Sequence, residues 1–295
     1  MNQDLLISGF SDEISSDFDT QLEVVSNLGM KYISLRGIDG KNIGDFTVDE
    51  IKETVQPRLQ KAGIRVSSIG SPIGKVFIND EEGFAKQKLM LDMLCQISNL
   101  LDCKYMRIFS FYIPKGEDAD QYRNQVVSKI KEFAAIAEKY NVILLHENEK
   151  DIFGDIGKRC HEILTEVGSP YFKGIFDFAN FVQCGEDTQE CYDLLKDEIV
   201  YIHIKDAVTS DSQNVVCGTG DGKIPELLAQ FIKSGYKGFL TLEPHLVLFD
   251  SLKDLELEDA TEIIKDNKGL DGAGGYKLQY EALLEILKTI ESEEK

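Results

Sequence analysis

Eight short apolar runs rich in β-branched and aromatic residues recur along the chain. They are Leu5–Phe10, Tyr32–Leu35, Val66–Ile69, Tyr105–Phe109, Val142–Leu145, Gly174–Phe178, Val200–Ile204 and Gly238–Leu242. Most are near-continuous in apolarity, as strands buried on both faces are. Their starts fall roughly 26–39 residues apart, the length of one strand–helix unit. The gaps carry a helical period. Phe18, Leu22, Val25 and Leu28 make one stripe. Val126, Ile130, Phe133, Ala134 and Ala137 make a second, and Tyr280, Leu283, Leu284 and Leu287 a third. Each predicts a core-facing helix side.

Local punctuation agrees. Gly29, Gly63 and Gly235 each stand between a helical stretch and a strand, where glycine closes a helix in the left-handed conformation. Thr47 with Glu50 reads as a capping box. Pro57 falls inside the following helical pattern and predicts a kink or a shifted boundary. No linker divides the 295 residues. Eight strand–helix units without interruption predict a (β/α)8 TIM barrel as a single domain over 1–295. A doubly wound sheet is the alternative. No G-x-G-x-x-G follows the first strand, and Gly218-Thr-Gly220-Asp-Gly222 has the wrong spacing. The stretch 246–275, with its acidic run Asp254–Asp259, reads as an insertion or lid after the eighth strand, or as a solvated helix.

Charge narrows the function classes. Asp+Glu number 52 against 32 Lys+Arg, a formal net charge of −20, which argues against a nucleic-acid partner. No stretch approaches the roughly 18 apolar residues of a membrane span, and the first residues lack the basic and apolar regions of a signal peptide. Cys95, Cys103, Cys160, Cys184, Cys191 and Cys217 are scattered, with no C-x-x-C. They predict reduced thiols in a cytoplasmic protein.

In a TIM barrel the active site is built at the C-terminal ends of the strands. There this chain places Ser11-Asp12-Glu13, Arg36, Ser71 to Lys75, Arg107 with Ser110, His146 to Glu149, Asp177 with Asn180, His203 with Lys205 and Asp206, and Glu243 to His245. Glu147, Asp177, His203 and Glu243 form a set from consecutive strands five to eight. Three carboxylates at close range repel one another, so a divalent cation is the natural counter-charge. Oxygen-rich ligation with one imidazole suits Mn²⁺ best, with Mg²⁺, Co²⁺, Fe²⁺ and Zn²⁺ as alternatives. The bland readings are a core histidine and capping acids. Arg36, Lys75, Arg107 and Lys205 read as substrate contacts or, equally, as salt-bridge partners of the acids. Asp221 within the Gly218–Gly222 loop disfavours phosphate there and favours a tight turn, hence a neutral sugar.

The strings L-L-H-E-N-E-K, F-D-F-A-N-F, Y-I-H-I-K-D-A and L-T-L-E-P-H resemble the sugar phosphate isomerase/epimerase family of xylose isomerase-like TIM barrels. So do S-D-E-I, S-P-I-G-K, R-I-F-S-F-Y and the G-x-G-D-G loop, so the resemblance spans essentially the whole chain. It implies one divalent metal on Glu147, Asp177, His203 and Glu243. It also implies acid/base roles for Glu147 and Glu243 on opposite faces of the substrate. Two positions depart from the epimerases: Asn180 stands for a His, and Thr209 for an Arg. Four His are too few for the multi-metal cluster of the DNA-repair members, and xylose isomerase itself uses two metals and a Trp, which this chain lacks.

The expected activity is a metal-dependent sugar isomerase or epimerase that abstracts a proton next to a carbonyl through a metal-bound enediolate. Glu147 and Glu243 are the catalytic candidates, with Glu149 and His245 in reserve. Arg36, Lys75, Arg107, Asn180, Lys205 and His245 are the candidate substrate contacts. The alternatives are a dehydratase or lyase on a keto-sugar or keto-glycoside, or a sugar-binding accessory subunit without turnover. The expected partner is a small sugar or keto-sugar, with a homo-oligomer left open.

Overall fold

The computed structural model describes residues 5–249 and 269–293. Eight strands form one parallel sheet: β1 (Leu5–Gly9), β2 (Tyr32–Leu35), β3 (Arg65–Ile69), β4 (Tyr105–Ile108), β5 (Ile143–His146), β6 (Phe172–Asp177), β7 (Ile199–Ile204) and β8 (Gly238–Leu242). Around the sheet their order is β1-β8-β7-β6-β5-β4-β3-β2. A parallel bridge between Phe10 and Ser34 brings the β1 and β2 edges together. The result is a nearly closed, single-domain TIM barrel, and all eight apolar runs fall on its strands to within two residues. The doubly wound alternative is excluded.

The helical stripes face the barrel. Phe18, Leu22 and Val25 are buried on the helix Phe18–Asn27, whose first turn is capped by Asp17 accepting from the Thr20 N–H. Leu28 is its half-buried C-cap. Val126, Ile130, Phe133, Ala134 and Ala137 are all buried on Arg123–Glu138. Such side chains contribute about 1.5–3 kcal/mol each when fully removed from water, alanines less. On Gly272–Glu293, Leu283 and Leu287 are buried while Tyr280 and Leu284 are half-buried. Gly29, Gly63 and Gly235 have φ of 78°, 66° and 91°, the left-handed closure their positions predict. The Thr47–Glu50 capping box forms. The boundary shift expected at Pro57 is present: the helical run from Val48 changes to a π-helical stretch, Ile51–Val55, just before it, and Pro57 stands in the first turn of Gln56–Ala62.

The Gly218–Gly222 loop holds an internal anion. The N–H groups of Gly218, Gly220 and Gly222 donate to the buried Asp206 carboxylate at 2.9, 3.0 and 3.0 Å. A Cβ on Gly220 would lie 2.5 Å from Asp206 Oδ1 and from the Ala207 carbonyl oxygen, so only glycine permits this approach. The turn reading holds, and its donors are spent on Asp206.

The sequence boundary at 246–275 needs correction at one end, because the last helix already begins at Gly272. The acidic run Asp254–Asp259 lies outside the described residues. Leu246 is buried. The Phe249 ring lies 5.2 Å from the Arg36 guanidinium carbon and 5.3 Å from the His245 ring, so the start of this segment covers that side of the barrel mouth. Among the described residues no helix is long and apolar enough to cross a membrane. All six cysteines are free thiols, five of them buried.

At the end of β5, His146 is buried with Nε2 3.0 Å from Ser110 Oγ, which also accepts from the Gly154 N–H. Burial depresses its pKa to about 4, against a smaller opposing pull from Glu147. In the unfolded chain the imidazole takes up its proton near pH 6.5. The stabilisation is therefore complete above pH 6.5 and is lost as pH falls through about 4, for a total of about 3 kcal/mol. Urea unfolding from pH 7 to pH 4 checks this. Wild type is expected to lose stability over that window more steeply than His146→Gln, and parallel curves would refute the assignment.

Candidate active site

The C-terminal rim gathers a buried cluster of three acids and one imidazole. His203 Nδ1 lies 2.7 Å from Glu147 Oε1, 3.0 Å from Glu243 Oε2 and 3.7 Å from Asp177 Oδ2. The sheet register brings them together: Asp177 and His203 are direct partners across β6 and β7, while Glu147 and Glu243 immediately follow β5 and β8. All four are buried. Asp177 is held twice. Its Oδ1 caps the helix Phe178–Gln183 by accepting from the Asn180 N–H. Asn148 exchanges two 3.1 Å hydrogen bonds with the Asp177 backbone. Asp177 Oδ2 is thereby aimed at His203.

One ring nitrogen has one proton or one lone pair to give, and here it faces three carboxylates. Glu147 Oε2, Asp177 Oδ2, Glu243 Oε2 and His203 Nε2 are buried with no hydrogen-bond partner. The three oxygens have ion-pair contacts instead, Glu147 with Arg107 at 3.2 Å, Asp177 with Lys205 at 3.2 Å and Glu243 with His203 at 3.0 Å, and burying so many charges with so few hydrogen bonds is costly. The donor atoms of the four residues all lie within 4.8 Å of one another. The three oxygens stand 2.7–3.7 Å from the nitrogen, the spacing of neighbouring ligands around an ion about 2.1 Å from each. The donor set therefore fits one divalent cation.

The charge balance shows what the ion would join. Burial pushes Glu147 and Glu243 up, but His203 with Arg107, and Lys205 with His203, outweigh it and hold both carboxyls low. Asp177 goes the other way, raised by burial that Lys205 only partly offsets. His203 is driven well above its ordinary range, because Glu147 and its neighbours overcome the burial penalty.

The second cluster, Glu13 with Glu243 and His245, already holds a cation. Arg36 lies fully buried with Nη1 2.9 Å from Glu243 Oε1, Nε 2.8 Å from Asp12 and Nη2 3.4 Å from Glu13. Its guanidinium takes the place an ion would have. Of the two readings of Arg36, salt-bridge partner is the one its contacts express.

The other candidates sort by position. Lys75, Arg107, Asn180, Lys205 and His245 line one pocket with Glu147, Glu149, Lys150, Gln183 and Glu243. Lys205 Nζ pairs with Asp177 at 3.2 Å, and Lys75 Nζ with Glu149 at 2.7 Å. Arg107 Nη1 lies 3.2 Å from Glu147 Oε2 and 3.6 Å from Glu243 Oε1, while its buried Nε has no hydrogen-bond partner. Asn180 spends its Nδ2 on the Asn148 carbonyl at 2.7 Å. Both ring nitrogens of His245 lack a hydrogen bond. Burial, with Lys205 nearby, holds that imidazole neutral. Thr209, at the departure from the epimerase pattern, takes Asp221 as its partner.

Sequence reasoning missed Phe10, Asn148, Lys150 and Gln183. The Phe10 ring carries the Arg36 and Arg107 guanidiniums at 4.3 and 4.9 Å and meets the His203 ring edge-on at 5.3 Å. Its place at the end of the first apolar run made it indistinguishable from core. Asn148 lies beside Glu147 and was visible only as one more polar residue.

The family model described as xylose isomerase-like TIM barrel matches residues 22–289. Comparison with curated proteins finds no match. Among solved structures, an IOLI protein with a bound zinc atom is similar with a TM-score of 0.75 at 15% identity, covering 97% of this chain and 99% of that one. A D-tagatose 3-epimerase-like protein follows at 0.74 and 16%, covering 98% and 100%. A probable 3-DHS dehydratase from Bacillus anthracis gives 0.67 and 17%, covering 81% and 92%. At these identities the likeness is one of fold.

Proposed function

The chain belongs to the xylose isomerase-like TIM barrel family, and we propose that it is a divalent-metal-dependent sugar isomerase or epimerase. The observation that carries this reading is the convergence of three carboxylates on His203 Nδ1, with Glu147 and Glu243 both beside Arg107. Glu147, Asp177, His203 and Glu243 would hold the ion, which when bound supplies the positive charge that offsets charge developing on the substrate's carbonyl oxygen.

The residues divide the remaining work. Each glutamate directs one oxygen at His203 and the other towards Arg107. Glu147 Oε2, paired with Arg107 at 3.2 Å, is the oxygen assigned to removing the proton from the carbon beside the carbonyl. Glu243 Oε1 is restrained by Arg36 at 2.9 Å and is the partner that returns a proton from its own side. Return to the same carbon gives an epimer, and return to the adjacent carbon an isomer. Arg107, with an unspent Nε–H, binds a substrate oxygen. Lys205 helps to keep the Glu243 charge through burial and offsets part of the burial of Asp177.

One observation favours elimination as a second reading. His245 lines the same pocket as a neutral imidazole with neither ring nitrogen hydrogen-bonded, and its N–H can donate a hydrogen bond to a departing hydroxyl. A dehydratase among the structural neighbours has the same fold. A binding subunit without turnover has no need of paired glutamates.

The test is solvent exchange. Protein loaded with Mn²⁺ in D₂O is expected to incorporate deuterium next to the carbonyl of at least one ketose or keto-glycoside. Binding of these sugars with no exchange into any would refute the enzyme reading.

A further inference from the structure

Beside the acid-lined pocket lies a much larger groove. The pocket encloses about 20 Å³ of free volume, room for an ion and little more, whereas the groove holds about 660 Å³, within the range of small-ligand sites. We infer that the groove is the subsite for the part of the substrate beyond its reacting carbons, and that its occupant is the second sugar ring of a ketose disaccharide. This rests on the sugar-enolising reading of the acid cluster and adds the substrate class to it.

Three observations carry the inference. The first is adjacency along one loop. Glu149 and Lys150 line the pocket, and the next two residues, Asp151 and Ile152, line the groove. Between them stands the buried cluster Phe109, Tyr112 and Ile152, and Phe109 also backs Lys75 and Arg107 at 4.5 and 4.9 Å. The second is construction. Phe77, Tyr112 and Ile152 are joined by backbone bridges, with the Ile78 N–H donating to the Tyr112 carbonyl, the Tyr112 N–H to the Val76 carbonyl and the Ile113 N–H to the Asp151 carbonyl, each at 3.0 Å. This is a laced platform, as precise binding sites require. The third is chemistry. Phe77 lines the groove with 46% of its surface exposed, while every other phenylalanine among the described residues is buried or half-buried. Its ring is tilted against Tyr112 at 5.7 Å. Lys115, Glu117 and Asp151 stand around it. A pyranose offers what this lining complements: a C–H face for an aromatic ring and a hydroxyl rim for charged groups.

The experiment uses the full chain loaded with Mn²⁺. The probes are D-fructose and the ketose disaccharides isomaltulose, maltulose and turanose. Deuterium exchange gives kcat/KM, and saturation-transfer NMR gives binding independently of turnover. At least one disaccharide is expected to exceed fructose about tenfold in kcat/KM. Phe77→Ala is expected to erase most of that ratio through KM, and Phe77→Trp to keep it. Fructose matching or exceeding every disaccharide, or a ratio unchanged by Phe77→Ala, overturns the inference while leaving the enolising reading intact. Phe77-dependent disaccharide binding without any exchange supports the groove and refutes the enolising reading. Absence of both exchange and Phe77-dependent binding overturns the inference.

Discussion

Glu147→Gln is expected to lower turnover on the best substrate by about 10²–10⁴-fold, the range of a lost general base, with little change in fold. Gln keeps the shape and loses the proton acceptor. Glu147 is buried with its Oε2 against Arg107, a place on the rim that no other carboxylate fills in the same way. Glu243→Gln is expected to cost a similar factor, yet the two variants differ in kind. If the enzyme is an epimerase with one base per face, each variant abolishes epimerisation. Each still exchanges deuterium into the epimer whose proton faces the surviving glutamate. If proton return is to the adjacent carbon on the same side, Glu147→Gln removes exchange altogether and Glu243→Gln preserves part of it. Stopped turnover with exchange in D₂O distinguishes these outcomes, and normal exchange by Glu147→Gln would contradict its assignment.

Removing the two proposed ligands that carry no proton-transfer role gives the second large effect. The double variant His203→Ala/Asp177→Ala is expected to lose more than about a hundredfold in Mn²⁺ affinity, beyond what a change in a supporting residue costs. Calorimetric titration checks it. The wild-type affinity should also depend on pH in a defined direction. Glu147 and its neighbours hold the proton on His203 well above the ordinary imidazole range, burial notwithstanding. An ion held by His203 would displace that proton, so affinity is expected to fall as pH falls, with a proton released to buffer on binding. Retained affinity in the double variant would remove the proposed ligand set.

The barrel was legible because its signal is periodic. Buried parallel strands write continuous apolar runs, and eight of them at a βα spacing leave few architectures. Gly29, Gly63 and Gly235 marked helix ends because left-handed backbone selects glycine. The four converging residues were legible for a related reason: polar side chains at the same end of apolar strands must share one rim. What sequence order conceals is which cation meets which acid. Arg36 just after β2 and Arg107 within β4 read alike in the sequence as rim cations. Only the three-dimensional arrangement shows Arg36 enclosed by Asp12, Glu13 and Glu243, and Arg107 keeping an unspent donor. Phe10 was hidden by its apolarity, since an aromatic ring under two guanidiniums and one in a core look alike in a string. Asp206 was visible as a polar residue after β7, but its partners lie 12–16 positions away in the glycine loop.

Anomalous scattering from crystals of the Mn²⁺-loaded protein, collected at the manganese edge, tests the central claim most directly. One peak is predicted, bounded by Glu147, Asp177, His203 and Glu243. A peak elsewhere, or none under conditions where the protein binds Mn²⁺ in solution, would contradict it.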